Sequence, residues 1–160
     1  MRALSATLFA AYLFILLWVV LFKFAYDPVA VLRESHTRGV NWVPFTQAYY
    51  SEMIANFVAF VPFGVMLGVN FKRARFGNMA AAIFAFSLAV EIAQYALAIG
   101  ITDVTDVITN TLGGCTGLAA YAAVRSVARG KYLDEAVFAA GTLILLTLLY
   151  LRVFVFVVRY

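Results

Sequence analysis

Long apolar runs constrain the fold of this chain more than any other feature. They fall at about 4–26, 52–71, 77–99, 104–124 and 136–158. Each run is close to the roughly 20 residues that a helix needs to cross about 30 Å of hydrocarbon. A content of 65% hydrophobic and 12% charged residues also lies far outside the range of soluble domains. The sequence therefore predicts an all-α polytopic membrane protein, a bundle of about five transmembrane helices.

The remaining composition excludes several kinds of protein. With residues 1–160 largely used by the spans, we expect a single membrane domain and no soluble one. The net charge of +4 does not indicate a nucleic-acid partner, because Lys and Arg cluster at the ends of the apolar runs, where they anchor topology. Cys115 is the only cysteine, so an intramolecular disulfide is impossible. We expect Cys115 to serve packing.

Positive charge concentrates in two short loops, at 72–75 and 125–131. The positive-inside bias makes both loops cytoplasmic, and Arg2 agrees with this orientation. The N-terminus is then predicted to be cytoplasmic and the C-terminus extracytoplasmic. The longest non-helical stretch, 27–51, and the short turn 100–103 would both face the extracytoplasmic side.

Polar side chains recur at helical spacing near the outer ends of the third and fourth predicted spans. Glu91 lies roughly 12 Å below the outer end of the third span, at 1.5 Å per residue. A short turn packs the two spans against each other, so their polar stripes meet. The stripe on the third span consists of Ser87, Glu91 and Gln94, and the stripe on the turn and the fourth span consists of Asp103, Asp106 and Asn110. Asn56 of the second span lies at a similar depth.

Two interpretations of these polar residues remain open. An ionised carboxylate costs about 2.5–3.5 kcal/mol at mid-membrane, so Glu91 and Asp106 are expected to face the bundle interior. They either hold helices together through hydrogen bonds or line a functional cavity. We favour a cavity built by the second, third and fourth spans and roofed by residues 27–51, because so many polar groups exceed what helix association requires.

Small residues and a proline predict local packing. Gly113, Gly114 and Gly117 form a small-xxx-small pattern that lets another helix backbone approach closely. Pro62 removes a backbone donor from the second span, so we expect a kink there. These features indicate structure rather than chemistry.

Four ordered motifs resemble the signatures of the VanZ-like membrane proteins. They are RGVNWVPF at 38–45, NFVAFVPFG at 56–64, SLAVEIAQ at 87–94 and TDVTDVITNTLGGCTG at 102–117. The resemblance covers 38–117, half of the chain, and leaves the predicted helix 136–158 as an addition. It implies a small multi-pass protein of the bacterial plasma (inner) membrane. The named member of the family is associated with low-level resistance to teicoplanin-type glycopeptide antibiotics, so the resemblance implies a link to such tolerance.

The resemblance also implies which residues matter. One position departs from the family, because Gly100 stands where members often carry an arginine. Arg38 or Arg152 is the candidate to replace that cation. The characteristic polar residues of the family match Asn41, Asn56, Glu91, Gln94, Asp103, Asp106 and Asn110.

These observations lead to a functional hypothesis with alternatives. Glu91, Asp103 and Asp106 are the candidate catalytic carboxylates, and the candidate substrate-binding residues are Arg38, Asn41, Asn56, Gln94 and Asn110. The protein would recognise or modify a cell-envelope component, such as a lipid-linked or peptidoglycan-related group. Its other expected partners are the membrane lipids around it. A proton- or cation-coupled transporter and a non-catalytic accessory subunit are the alternatives. No spacing matches a known metal motif, so no metal site is predicted. The sequence leaves open whether the protein is an enzyme, whether it uses a cofactor and what its oligomeric state is.

Overall fold

A computed structural model describes residues 2–22, 28–34, 37–46, 49–127, 132, 134–137, 139–141 and 143. Its elements are α1 (Arg2–Phe22), α2 (Pro28–Glu34), β1 (Thr37–Asn41), α3 (Tyr50–Asn70), α4 (Phe76–Leu97), β2 (Ile99–Asp103) and α5 (Val104–Val127). Within these residues α1, α3, α4 and α5 are long and apolar enough to cross a membrane. The predicted all-α membrane fold is confirmed, and these helices match the first four predicted spans. Most of the fifth predicted span, 136–158, lies outside the described residues.

The helices alternate in direction. At one end of the bundle the Ser5 hydroxyl of α1 donates to the side chain of Asn70, where α3 ends. Toward the other end the side chain of Gln94, near the end of α4, donates to the carbonyl of Val20 in α1. Helix α1 therefore runs antiparallel to α3 and parallel to α4. We call the end that carries β1 and β2 the sheet end, and the end that carries the 71–75 loop the basic end.

The basic end carries the 71–75 loop and the end of α5, two parts of the chain that the sequence predicts to lie on the same side of the membrane. Lys72 forms an ion pair with Asp134, which follows α5 in the chain, and Asp134 also accepts a hydrogen bond from the hydroxyl of Tyr121. The 71–75 loop, the start of α1 and the end of α5 thus lie on one side of the bundle. Which side of the membrane this is remains a prediction.

Helices α3 and α5 pack with their backbones almost in contact. A Cβ atom added to Gly113 would lie 2.1 Å from the carbonyl oxygen of Phe57, and one added to Gly117 would lie 1.9 Å from that of Val61. A Cβ atom cannot occupy either place, so only glycine permits this approach. The predicted packing role of these glycines is confirmed. Pro62 lies within the continuous helix α3, and the kink expected there stays a prediction.

The apolar core lies beside this seam. The ring of Phe63 contacts the rings of Phe9, Phe60 and Phe86, which brings three helices together. Buried side chains of α1, α3, α4 and α5 complete the core: Tyr12, Leu16, Val20, Phe60, Met66, Leu67, Ile83, Val90 and Leu118.

The sheet end differs from the prediction. The 27–51 stretch is not wholly non-helical, because it contains α2, and the expected turn 100–103 belongs to strand β2. Strands β1 and β2 pair in parallel, with Asn41 opposite Asp103. A parallel pair needs a long crossover, and here the helical hairpin α3–α4 supplies it. The sequence stretches that form these strands are short and lie far apart, so no local pattern reveals the pairing.

Candidate functional site

Glu91 joins the end of α4 to the strand that folds back over it. Its side chain is 1% exposed, and Oε2 accepts a hydrogen bond of 3.0 Å from the backbone N–H of Asp103. The hydroxyl of Thr102 donates to the backbone carbonyl of Glu91 at 3.1 Å. The carboxylate is therefore buried in protein at the α4–β2 junction, as the sequence predicted for an acid within a span.

Asp103 ties three elements together. Its Oδ1 accepts the N–H of Thr105 at 2.7 Å, which is the N-cap bond that satisfies a donor of the first turn of α5. Its Oδ2 accepts the side-chain amide of Asn41 at 2.9 Å. The Oδ1 of Asn41 in turn accepts the N–H of Val43 at 3.2 Å. Both carboxylate oxygens of Asp103 are thus engaged in joining β1, β2 and α5.

Asp106 and Asn56 link α5 to α3 and border a groove. The side-chain amide of Asn56 donates to Oδ1 of Asp106 at 2.7 Å, and Asp106 is 7% exposed. The groove has a volume of about 280 Å³. It lies between α1 and α3, and its lining residues are Val19, Val20, Ser51, Glu52, Ala55, Asn56, Ala59 and Asp106.

Asn110 and Gln94 lie deeper in the protein. Asn110 and Ser87 are both fully buried, and the Asn110 amide donates to the Ser87 hydroxyl at 3.1 Å. The Gln94 amide donates to the Val20 carbonyl at 3.1 Å. Among the described residues, neither Oε1 of Gln94 nor Oδ1 of Asn110 has a hydrogen-bond partner. These amides hold α4 against α5 and α1, while each keeps an unused acceptor.

Arg38 lies at the sheet end, on β1. Its side chain is exposed, and in the register of the sheet it stands opposite Gly100. A Cβ atom added to Gly100 would meet nothing within 4 Å. The cation that was expected to replace an arginine at position 100 thus lies on the neighbouring strand. Arg152, the other candidate, lies outside the described residues.

The structure divides the predicted site into three groups. Glu91, Asp103 and Asn41 join the sheet to α4 and α5, Asp106 and Asn56 border the groove, and Gln94 with Asn110 lies in the interior. The prediction built the cavity from α3, α4 and α5, whereas α1 forms one wall of this groove in place of α4. The polar side chains of α4 instead bond to neighbouring protein groups.

Two groove residues escaped the sequence reasoning. Glu52 and Ser51 lie in the first turn of α3 and line the groove. Glu52 precedes Asn56 by four residues, so helical spacing places both side chains on one face of α3. This spacing could have identified Glu52 from the sequence. Chemically, the groove offers carboxylate and amide oxygens, which accept hydrogen bonds from hydroxyl, amide or amine groups. Within the described residues, no three His, Cys, Asp or Glu side chains are arranged to hold a metal ion.

Comparison of the sequence with known proteins assigns the chain to a family. The VanZ/LLP1 family profile matches residues 9–125, a range that includes most of α1, the groove and almost all of α5. The chain is 43% identical over 152 residues to Protein VanZ of Enterococcus faecium, with 94% of each chain covered. No solved structure matches the chain. The chain belongs to the VanZ/LLP1 family.

Proposed function

We propose that this protein recognises a lipid-linked or peptidoglycan-related component at the extracytoplasmic face of the bacterial plasma membrane. By this recognition it would lower susceptibility to teicoplanin-type antibiotics. The family association with such resistance supports the biological setting. The groove between α1 and α3 is the observation that carries the molecular part of the proposal.

The two kinds of wall in the groove match the two parts of a lipid-linked molecule. Val19, Val20, Ala55 and Ala59 supply apolar surface, while the side chains of the polar lining residues supply hydrogen-bonding oxygens. A volume of about 280 Å³ is close to the lower limit for small-molecule sites, about 300 Å³. The groove therefore suits one sugar or one amino-acid unit of a head group, with the lipid chain remaining in the bilayer.

The polar residues have distinct parts in this proposal. Asp106 and Glu52 accept hydrogen bonds from hydroxyl or amide groups of the head group. Arg38, exposed at the same end of the bundle, attracts a phosphate, because a guanidinium binds phosphate through paired hydrogen bonds. Glu91 and Asp103 bond to protein donors, which favours positioning roles for them and recognition over catalysis.

A resistance assay tests the groove. The wild-type chain and the variants Asp106→Asn, Asn56→Ala and Glu52→Gln would be expressed in a susceptible Gram-positive host, and teicoplanin susceptibility measured. We expect each groove variant to lose protection while its level in the membrane stays normal. Glu135→Gln is the matched control, an exposed acid outside the groove, and it should protect like the wild type. Full protection by all three groove variants would refute the proposal.

A binding assay tests the ligand class directly. Purified protein in lipid nanodiscs would be titrated with a lipid-linked muropeptide, and Arg38→Ala is expected to weaken binding by about tenfold, the loss of one charge-assisted contact. Unchanged affinity would remove Arg38 from the site. The transporter alternative would instead be favoured if the wild-type protein conducts protons into liposomes and the Glu91→Gln variant does not.

A further inference from the structure

The segment between β1 and α3 exposes large apolar side chains without any charge. From Gly39 to Ser51 the sequence contains no Asp, Glu, Lys or Arg. We call residues 42–46 of this segment the aromatic turn. Exposed fractions are 75% for Trp42, 58% for Val43 and 56% for Phe45. Such a contiguous apolar surface is unfavourable in water and marks a contact with another apolar phase.

This exposure does not come from a loose loop, because hydrogen bonds hold the turn. The N–H of Val43 donates to the side chain of Asn41, and the hydroxyl of Thr46 donates to the Val43 carbonyl at 2.8 Å. The N–H of Phe45 donates to the hydroxyl of Thr105 at 3.0 Å. Phe45 also has a φ of 65°, a left-handed conformation that a bulky residue adopts only when its surroundings impose it. The protein thus presents these side chains in a fixed arrangement.

The position of the turn along the bundle indicates what covers it. Helix α3 has 21 residues and so extends about 31 Å, close to the thickness of the hydrocarbon core. The aromatic turn precedes α3 by only a few residues, so it lies at the level of a membrane interface. Tyr49 and Tyr50, exposed by 75% and 83%, occupy the same level. Trp and Tyr concentrate at this depth because their rings are apolar and their polar atoms reach water.

We propose that the aromatic turn inserts into the lipid head-group region at the sheet end and binds the bilayer surface. Its partner is lipid, and this role is separate from ligand recognition in the groove. Asn41 and Thr105 connect the turn to β1 and to the first turn of α5. Insertion therefore fixes the depth of the sheet and of the groove mouth relative to the head groups.

The two tryptophans of the chain allow a direct test by fluorescence. Trp18→Phe leaves Trp42 as the single tryptophan, and Trp18 is a suitable site to change because its buried indole N–H has no partner among the described residues. The protein would be placed in phosphatidylcholine liposomes that carry nitroxide quenchers at shallow or deep positions. We expect the shallow quencher to reduce Trp42 emission by about twofold more than the deep one, as for an interfacial ring.

A matched reference calibrates the depth. Phe84, near the middle of α4 and 48% exposed, would be changed to Trp in a chain whose native tryptophans are both Phe. This reference should be quenched more by the deep probe than by the shallow one. Iodide added to the water should quench Trp42 weakly.

Two results would overturn the proposal. Strong iodide quenching of Trp42, with little effect of either lipid probe, would show that the turn projects into water. A Trp42 pattern equal to that of the Phe84→Trp reference would place the turn in the hydrocarbon core. Trp42→Phe in the otherwise native chain gives an independent measurement, since it should remove the component quenched by the shallow probe.

Discussion

Helix α5 packs against α3 and against α4 in two different ways. Its interface with α3 is a seam of glycines, where Gly113 and Gly117 face backbone carbonyls. Its interface with α4 includes a buried polar bond, between Asn110 and Ser87. The first interface depends mainly on missing side chains, although the Asn56–Asp106 hydrogen bond also crosses it, and the second includes a fully buried polar pair. The seam fixes how close the helices lie, and the polar contacts fix which groups meet at the sheet end.

The largest expected effect comes from filling the glycine seam. Gly117→Ala places a methyl group 1.9 Å from the Val61 carbonyl oxygen, and neither backbone can move without separating α3 from α5. We expect a loss of about 3 kcal/mol in the free energy of unfolding, the upper part of the range for overpacking. Thermal unfolding in detergent measures it.

Gly77→Ala is the matched control for the seam. A Cβ atom added there meets nothing within 4 Å, and Gly77 lies in the first turn of α4. The free energy of unfolding of the Gly77→Ala variant should equal that of the wild type or exceed it by up to about 1 kcal/mol, because Ala favours helix. Equal unfolding temperatures for the two variants would show that the seam is looser than the structure indicates.

The next largest effect is expected from removing the hydrogen bond between Glu91 and the backbone of Asp103. Glu91→Leu removes the acceptor of the Asp103 N–H, and a buried donor left unpaired costs about 1–3 kcal/mol. Glu91→Gln keeps an acceptor oxygen, so its loss of stability should be clearly smaller. Unfolding temperatures of the two purified variants measure the difference. Equal stability of the Leu and Gln variants would contradict a role for this bond.

A smaller effect separates the two bonds of Asp103. Asp103→Ala should cost about 1–2 kcal/mol, because α5 loses its N-cap and Asn41 loses its partner. Asp103→Ser retains a cap for the Thr105 N–H, but its single short oxygen does not also reach Asn41. Hydrogen exchange should then show faster exchange in β1 for both variants and at the start of α5 for Asp103→Ala alone. Unchanged exchange in β1 would mean that Asn41 does not depend on Asp103.

Much of this arrangement follows from local sequence. Apolar run lengths predict the spans, helical spacing places Glu91 beside Gln94, and small residues at intervals of four predict the seam. Strands β1 and β2 were not predicted, because they pair across about sixty residues and each is short. The place of α1 in the groove also escaped prediction. An apolar helix such as α1 carries no pattern that shows which neighbour it packs against.

The smallest expected effect is at the junction that brings Glu91 to β2. Ala98 ends α4 with φ 55° and ψ 38°, a left-handed conformation that costs a residue with a Cβ atom about 1 kcal/mol. Ala98→Gly relieves this strain but gives the unfolded chain more freedom, so we expect a net gain of roughly 0.5 kcal/mol. Ala89→Gly, at an exposed position inside α4, should instead lose about 1 kcal/mol. The same substitution on one helix thus changes sign with backbone conformation, and unfolding temperatures of the two variants measure it. A loss of stability in both variants would mean that Ala98 is not strained, and that the Glu91–Asp103 contact forms without strain in the backbone at that junction.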